Sequence, residues 1–88
     1  MKWWYIYVLL SLKDNKWYTG YTGNLKNRIA KHNSGEVFST KNRKPFKLIY
    51  SEACLNKLDA QARERYLKSG MGKRYLRNRL RCYFDKND

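Results

Sequence analysis

The sequence has few of the residues on which many enzyme sites depend. Its 88 residues include one histidine, His32, and two cysteines, Cys54 and Cys82. Acid–base catalysis by a histidine pair and a His-rich metal site are therefore excluded. The two cysteines lack the paired spacing of a zinc site and are a poor disulfide framework. We interpret them as ordinary thiols and predict a reducing, cytoplasmic location.

Acidic residues are also scarce, because seven Asp and Glu face 20 Lys and Arg, for a net charge of +13. The acids are scattered singly, which argues against a two-metal site built from several carboxylates. The positive charge favours a polyanionic partner: nucleic acid, an anionic membrane or an acidic protein. The basic residues run from Lys2 to Lys86 instead of concentrating on one amphipathic helix. Nucleic acid is therefore predicted and membrane binding is not.

Long hydrophobic segments are absent as well. The apolar run near the N-terminus is about ten residues long, too short to span a bilayer, and it lacks the small-residue cleavage site of a signal peptide. Its composition is typical of a strand. The length predicts one small domain, residues 1–84, with a short polar tail, residues 85–88.

The alternation of apolar and turn-forming residues predicts the order strand, strand, helix, strand, helix, helix. The predicted strands cover residues 4–11, 17–21 and 46–52, and the first two helices cover about residues 24–33 and 56–68. Residues 34–45 are predicted to be an exposed basic loop. Three strands alone are a poor core, so helices should cover at least one sheet face. The predicted fold class is α+β, a small antiparallel three-stranded sheet flanked by about three helices.

Apolar spacing also predicts which helix faces are buried. The second helix should bury Leu55, Leu58, Ala62 and Tyr66, and the third should bury Leu76, Leu80 and Tyr83.

Three polar residues on the helices are candidates for chemistry. Glu64 could hold one Mg²⁺, which commonly binds through one or two carboxylates, waters and substrate phosphate. Spacing alone favours another interpretation, an ion pair between Glu64 and Lys68 at i+4.

Arg28 and His32 share one face of the first helix and could bind a phosphate together. Separately, they could be a surface cation and a helix C-terminal residue.

Four tyrosines enrich the predicted hairpin: Tyr5, Tyr7, Tyr18 and Tyr21. Cross-strand aromatic packing accounts for most of them. Alternation places Tyr5 and Tyr7 on one face and Ile6 and Val8 on the other, which is expected to be the core face.

Taken in order, these residues resemble the GIY-YIG nuclease domain. The resemblance is carried by YIYVL, by YTG about ten residues later and by NLKNRIAKH, and it spans nearly the whole chain. The stretches HNSG, STKNRKPFKLIYSE and ARERYLKSGMGKR are similar to the small single-domain bacterial branch, which resembles the nuclease domain of the excision-repair subunit UvrC. Tyr5 stands in place of the first tripeptide's glycine, and Thr19 in place of the second's aliphatic residue.

The resemblance implies a metal-dependent endonuclease, with DNA as the expected substrate and Mg²⁺ or Mn²⁺ held by Glu64. Its implied catalytic residues are Tyr7, Tyr18, Arg28, His32 and Glu64, with Gly20 matching the glycine of the second tripeptide. Either Tyr7 or Tyr18 would orient or deprotonate the attacking water. A free tyrosine has a pKa near 10, so the metal and Arg28 are expected to lower it.

Basic side chains outside the catalytic set are predicted to bind the nucleic acid: Lys26, Lys31, Arg43, Lys44, Lys68, Lys73 and Arg74. Two alternatives use the same basic surface without turnover. One is a non-catalytic nucleic-acid-binding module, and the other is an RNA-associated accessory protein.

Overall fold

A computed structural model describes residues 1–85 of the chain. Its elements are β1 (Trp4–Ser11), β2 (Trp17–Thr22), α1 (Leu25–Ser34), β3 (Phe46–Cys54), α2 (Lys57–Lys68), α3 (Gly70–Arg79) and α4 (Arg81–Phe84). The strands form one antiparallel sheet in the order β2-β1-β3. This confirms the predicted α+β class and makes β2 an edge strand. No helix within residues 1–85 is long and apolar enough to cross a membrane.

The central strand β1 is buried on both faces of the sheet. Ile6 and Val8 pack against residues of α2 and α3: Ala60, Leu67 and Leu76. On the other face, Tyr7 and Leu9 pack with Phe46 and with residues of α1, Leu25 and Ile29. The alternation predicted for β1 is therefore confirmed, but the helices cover both sheet faces. Tyr7 lies in a second apolar cluster and is 1% exposed.

Side-chain caps fix where the helices begin. The side-chain oxygens of Asn24 and Asn56 accept hydrogen bonds from the backbone N–H groups of Asn27 and Leu58. Ser69 caps α3 in the same way by accepting from Gly72. Such caps satisfy N–H groups that have no partner inside the helix. Gly35 ends α1 in the left-handed conformation, with φ of 82°.

The apolar face predicted for α2 is wrong. Leu55 and Leu58 are 51% and 70% exposed, and Ala62 and Tyr66 are also exposed, whereas Ala60 and Leu67 are buried. Ala60 and Leu67 are seven residues apart and therefore lie on one face two turns apart. The small side chain of Ala60 allows α2 to pack on Ile6 and Val8, and hydropathy alone does not reveal this preference for size.

The predicted third helix is divided into α3 and α4. Leu76 is buried as predicted, but Leu80 leaves helical geometry with φ of −105° and ψ of 22°, and Tyr83 is 38% exposed. The break allows the Phe84 ring to stack on Trp17, with ring centroids 5.4 Å apart. Of the predicted tail, residues 85–88, only Asp85 falls within the described residues.

Two glycines of α3 provide a matched test of the α2–α3 packing. A Cβ on Gly72 would overlap the backbone of Tyr66 and Leu67, whereas a Cβ on Gly70 would meet nothing within 4 Å. We expect Gly72→Ala to lower the free energy of unfolding by about 2 to 3 kcal/mol. Gly70→Ala should change it by less than about 0.5 kcal/mol or raise it slightly. Urea denaturation measures both, and equal stabilities of the two variants would contradict the packing described.

Candidate active site

The helix α2 runs beside the edge strand β2 in the opposite direction. Near the start of α2, Gln61 Nε2 donates a hydrogen bond of 2.7 Å to Tyr21 Oη near the end of β2. At the other end, Lys68 shares a cavity with Trp17, Tyr18 and Thr19. Glu64 lies between these two positions, one helical turn from each. A row of polar side chains on α2 therefore faces the open edge of the sheet.

A buried hydrogen-bonded chain links β1 to α1 and to the loop after it. His32 Nε2 lies 3.0 Å from Tyr7 Oη, and His32 Nδ1 lies 2.8 Å from Thr40 Oγ1. Thr40 Oγ1 also donates to the carbonyl of Val37 at 3.4 Å. Because a carbonyl can only accept, the Thr40 oxygen accepts from Nδ1–H, and Nε2 accepts from the Tyr7 hydroxyl.

This arrangement holds His32 as one neutral tautomer. The side chain is fully buried, and burial, followed by the positive charge of Arg28, lowers the pKa of His32 below its usual value. A neutral imidazole with Nε2 turned toward a tyrosine hydroxyl is a potential proton acceptor.

Tyr7 lies directly opposite Gly20 on the neighbouring strand. A Cβ on Gly20 would lie 2.5 Å from Tyr7 Oη, so only glycine leaves room for the phenol ring. Burial, followed by the neighbouring Tyr18, raises the pKa of Tyr7 to about 12, although Arg28 acts to lower it. Arg28 acts in the expected direction, but burial outweighs its charge. Tyr7 therefore keeps its proton, and its hydroxyl donates a hydrogen bond to His32 Nε2.

Tyr18 is the more accessible of the two site tyrosines. It is half-buried on β2, with its ring centroid 5.0 Å from that of His32 and 6.4 Å from that of Tyr7. It lines a cavity of about 170 Å³ together with Trp17, Thr19, Lys68 and Lys73. Its ring therefore lies between the buried hydrogen-bonded chain and the open edge of the sheet.

Glu64 forms the ion pair that its spacing from Lys68 predicts. Its Oε2 lies 2.9 Å from Lys68 Nζ, which is the i, i+4 ion pair, and its side chain is 16% exposed. Its negative charge also contributes, less than burial and Tyr18 do, to the raised pKa of Tyr7. The carboxylate of Glu64 is therefore paired with a lysine and acts electrostatically on Tyr7.

The side chains available as ligands restrict which metal ion could bind at Glu64. Within residues 1–85, no group of three or more His, Cys, Asp and Glu side chains is placed to hold a metal ion. Zinc is normally held by three or four such ligands. One carboxylate fits Mg²⁺ or Mn²⁺, which keep several waters and share a substrate phosphate. Glu64 is the residue that would hold such an ion.

The predicted nucleic-acid-binding residues are distributed over several surfaces. Lys68 and Lys73 adjoin Tyr18, and Arg43 lines a neighbouring cavity with Lys73 and Arg77. Arg43 Nε is also paired with Asp14 Oδ2 at 2.9 Å. The others lie further along the surface: Lys26 faces a cavity beside Tyr5, and Lys31, Lys44 and Arg74 are exposed on α1, on the α1–β3 loop and on α3.

Sequence reasoning missed Thr40, Gln61 and Arg77. The i, i+3 spacing of Gln61 and Glu64 on one helix face could have indicated Gln61. No sequence pattern indicated Thr40, because its hydrogen bond with His32 depends on the path of an irregular loop. Arg77 belongs to the third helix, where the sequence showed only a run of outward-facing cations.

Comparisons with known proteins agree with this geometry. The family model described as the GIY-YIG catalytic domain matches residues 3–78. The chain is similar to a UPF0213 protein of Clostridium perfringens, with 48% identity over 73% of this chain and 69% of that protein. A Pediococcus acidilactici UPF0213 protein is 41% identical over 84% and 81% of the two chains.

A solved structure shows the same fold. The solution NMR structure of the UPF0213 protein BH0048 from Bacillus halodurans matches with a TM-score of 0.52 and 39% identity. The match covers 84% of this chain and 81% of that one.

Thr40→Val tests the buried hydrogen-bonded chain. Valine keeps the shape of threonine but leaves His32 Nδ1–H without an acceptor, so we expect a loss of about 1 to 3 kcal/mol in the free energy of unfolding. The ¹⁵N NMR shifts of His32 should also lose the pattern of a single tautomer protonated on Nδ1. Thr40→Ser, which retains the hydroxyl, should restore that pattern. A single unchanged tautomer in Thr40→Val would show that Thr40 does not set it.

Proposed function

This chain belongs to the GIY-YIG family, and we propose that it is a Mg²⁺- or Mn²⁺-dependent endonuclease that hydrolyses phosphodiester bonds in DNA. The observation that carries the proposal is a neutral buried histidine bonded to Tyr7, with the Tyr18 ring beside both and the charge of Glu64 acting on Tyr7. His32 is fully buried, and its Nε2 accepts a hydrogen bond from the Tyr7 hydroxyl. Hydrolysis needs such a proton acceptor beside an accessible polar group.

The structure supports different roles for the two tyrosines. Tyr7 is 1% exposed, and its hydroxyl already donates a hydrogen bond to His32. Tyr18 is half-buried and lines the cavity at the sheet edge. In the proposed reaction Tyr18 orients the attacking water, and the water's proton passes through the tyrosine hydroxyls to His32 Nε2. The water oxygen bonds to phosphorus as the bond to the leaving sugar oxygen breaks. That oxygen takes up a proton from solvent, and His32 then releases its proton to solvent.

Arg28 and Glu64 supply the electrostatic part of the proposal. Arg28 is near enough to act on both Tyr7 and His32, and its guanidinium can donate two hydrogen bonds to the charge that develops on the phosphate. Glu64 would hold the divalent ion, which would supply charge neutralisation at the phosphate and at the leaving oxygen. The positive charge of Arg28 also keeps His32 from retaining a proton, which suits a transient acceptor.

The experiment that tests the proposal is a cleavage assay with purified protein. Single-stranded, duplex, flapped and branched DNA, together with an RNA of matched sequence, are incubated with Mg²⁺, Mn²⁺ or EDTA. Flapped and branched substrates are included because of the similarity to a repair nuclease. Cleavage with metal and none with EDTA is expected. Tight binding without cleavage of any substrate would favour the non-catalytic module, and binding to RNA alone would favour the accessory protein.

Glu64→Gln should abolish cleavage without weakening nucleic-acid binding. A neutral amide is a poor ligand for Mg²⁺, but the substitution removes no positive charge from the binding surface. The matched control is Glu36→Gln, since Glu36 is an exposed carboxylate that bonds Ser34 and lies outside the site. Cleavage rates and DNA affinity are measured for both variants. Turnover by Glu64→Gln at the parent rate would remove Glu64 from the mechanism.

Substitution of single tyrosines by phenylalanine should separate their roles. Tyr18→Phe should lower the cleavage rate by about 100-fold or more, because the group that orients the water is lost. Tyr7→Phe should also lower the rate, and its free energy of unfolding should fall by about 1 kcal/mol because His32 Nε2 loses its donor. Tyr5→Phe, on the same strand as Tyr7, should behave as the parent. Normal cleavage by both Tyr7→Phe and Tyr18→Phe would mean that these hydroxyls are only structural.

A further inference from the structure

A small basic cavity lies beside Tyr18, where α2 ends and α3 begins. It is lined by Trp17, Tyr18 and Thr19 of β2 and by Lys68 and Lys73, and its volume is about 170 Å³. The two lysines provide the only formal charges of this lining, and both are exposed. The cavity therefore carries positive charge at the edge of the candidate active site.

The position of Lys73 is not explained by helix stability. It lies in the first turns of α3, which begins at Gly70 and has no acidic residue in its first turn. A cation near a helix N-terminus is unfavourable because the helix dipole is positive there. An anion bound beside Lys73 would interact favourably with both the lysine and the positive end of the helix dipole, and would offset this unfavourable energy.

Lys68 is paired with Glu64, the carboxylate that is proposed to bind the divalent ion. Its Nζ lies 2.9 Å from Glu64 Oε2, and its side chain is 52% exposed while that of Glu64 is 16% exposed. A lysine ammonium on a flexible stem can move between neighbouring anions at small cost. While Lys68 is paired with Glu64, it competes with a divalent cation for the same carboxylate.

We propose that the cavity between Lys68 and Lys73 is a phosphate subsite for a backbone phosphate next to the one that is cleaved. A phosphate bound there draws Lys68 away from Glu64 and leaves the carboxylate free to bind the divalent ion. Substrate binding and metal binding are then coupled, and by linkage each strengthens the other equally. The inference rests on the proposed nuclease function. It gives the Glu64–Lys68 pair a role, which is to couple substrate binding to metal binding.

The first test measures DNA binding in EDTA, where no metal is bound and no cleavage occurs. A fluorescent six-nucleotide single-stranded DNA is titrated with the parent protein, Glu64→Gln and Glu36→Gln, which lose the same charge. Glu64→Gln should bind about two- to fivefold tighter than Glu36→Gln, the range expected for release of one ion pair. Adding Lys68→Gln to Glu64→Gln should remove that gain. Equal affinities of the two carboxylate variants would overturn the proposal.

The second test measures Mn²⁺ binding by calorimetry in the absence of nucleic acid. Lys68→Gln and Arg65→Gln each remove one exposed cation from α2, but only the first breaks the pair with Glu64. Lys68→Gln should bind Mn²⁺ about two- to fivefold tighter than Arg65→Gln. Equal Mn²⁺ affinities would reject competition by Lys68. Thermal melting of each variant checks that the exposed substitutions leave the fold intact.

The two proposals fail in different ways. If the parent protein cuts no substrate with metal, the nuclease function is wrong, whatever the binding differences are. If it cuts but both pairs of matched variants behave alike, the phosphate subsite is wrong and the nuclease function stands.

Discussion

The close approach of Tyr7 to Gly20 is the constraint on which the site depends. The register of β1 with β2 places them opposite each other, and the missing side chain of Gly20 gives the Tyr7 ring the room it occupies. From there the hydroxyl reaches Nε2 of His32, and through His32 it is linked to Thr40. A strand pair, a helix and a loop are thus joined through one phenol ring, and a one-residue slip in register would separate them.

The helix that carries Glu64 is held in place by other residues. Arg63 makes two hydrogen bonds, of 2.9 Å and 2.8 Å, to the carboxylate of Glu52 on β3, while Ala60 and Leu67 pack on the sheet. This paired geometry is the stronger form of the arginine–carboxylate interaction. These contacts position α2 without Glu64, whose carboxylate pairs with Lys68.

The elements of the fold were largely readable from the sequence, whereas contacts made by irregular segments were not. Turn residues, caps and alternation gave the strands and the helix starts, because Asn24, Asn56 and Gly35 act locally. The buried face of α2 was predicted wrongly, since Ala60 is selected by the distance between helix and sheet and not by hydropathy. Arg28, His32 and Glu64 were identified in order as candidates, but only the tertiary fold shows that His32 bonds Tyr7 and that Arg28 acts on both. Thr40 lies in the loop predicted to be exposed, and only the folded chain shows that its side chain is buried.

The most direct measurement of the central claim is the position of a bound divalent ion, read from Mn²⁺-induced line broadening of backbone amide NMR signals. Small amounts of Mn²⁺ added to the isotopically labelled protein broaden the signals nearest to the ion. If the active site is the open edge of β2, broadening should begin at Glu64 and at Gly20, near the Tyr7 hydroxyl, and should be absent from Glu64→Gln. Broadening that begins instead at Asp14 or Glu52, or that persists unchanged in Glu64→Gln, would contradict this account of the site.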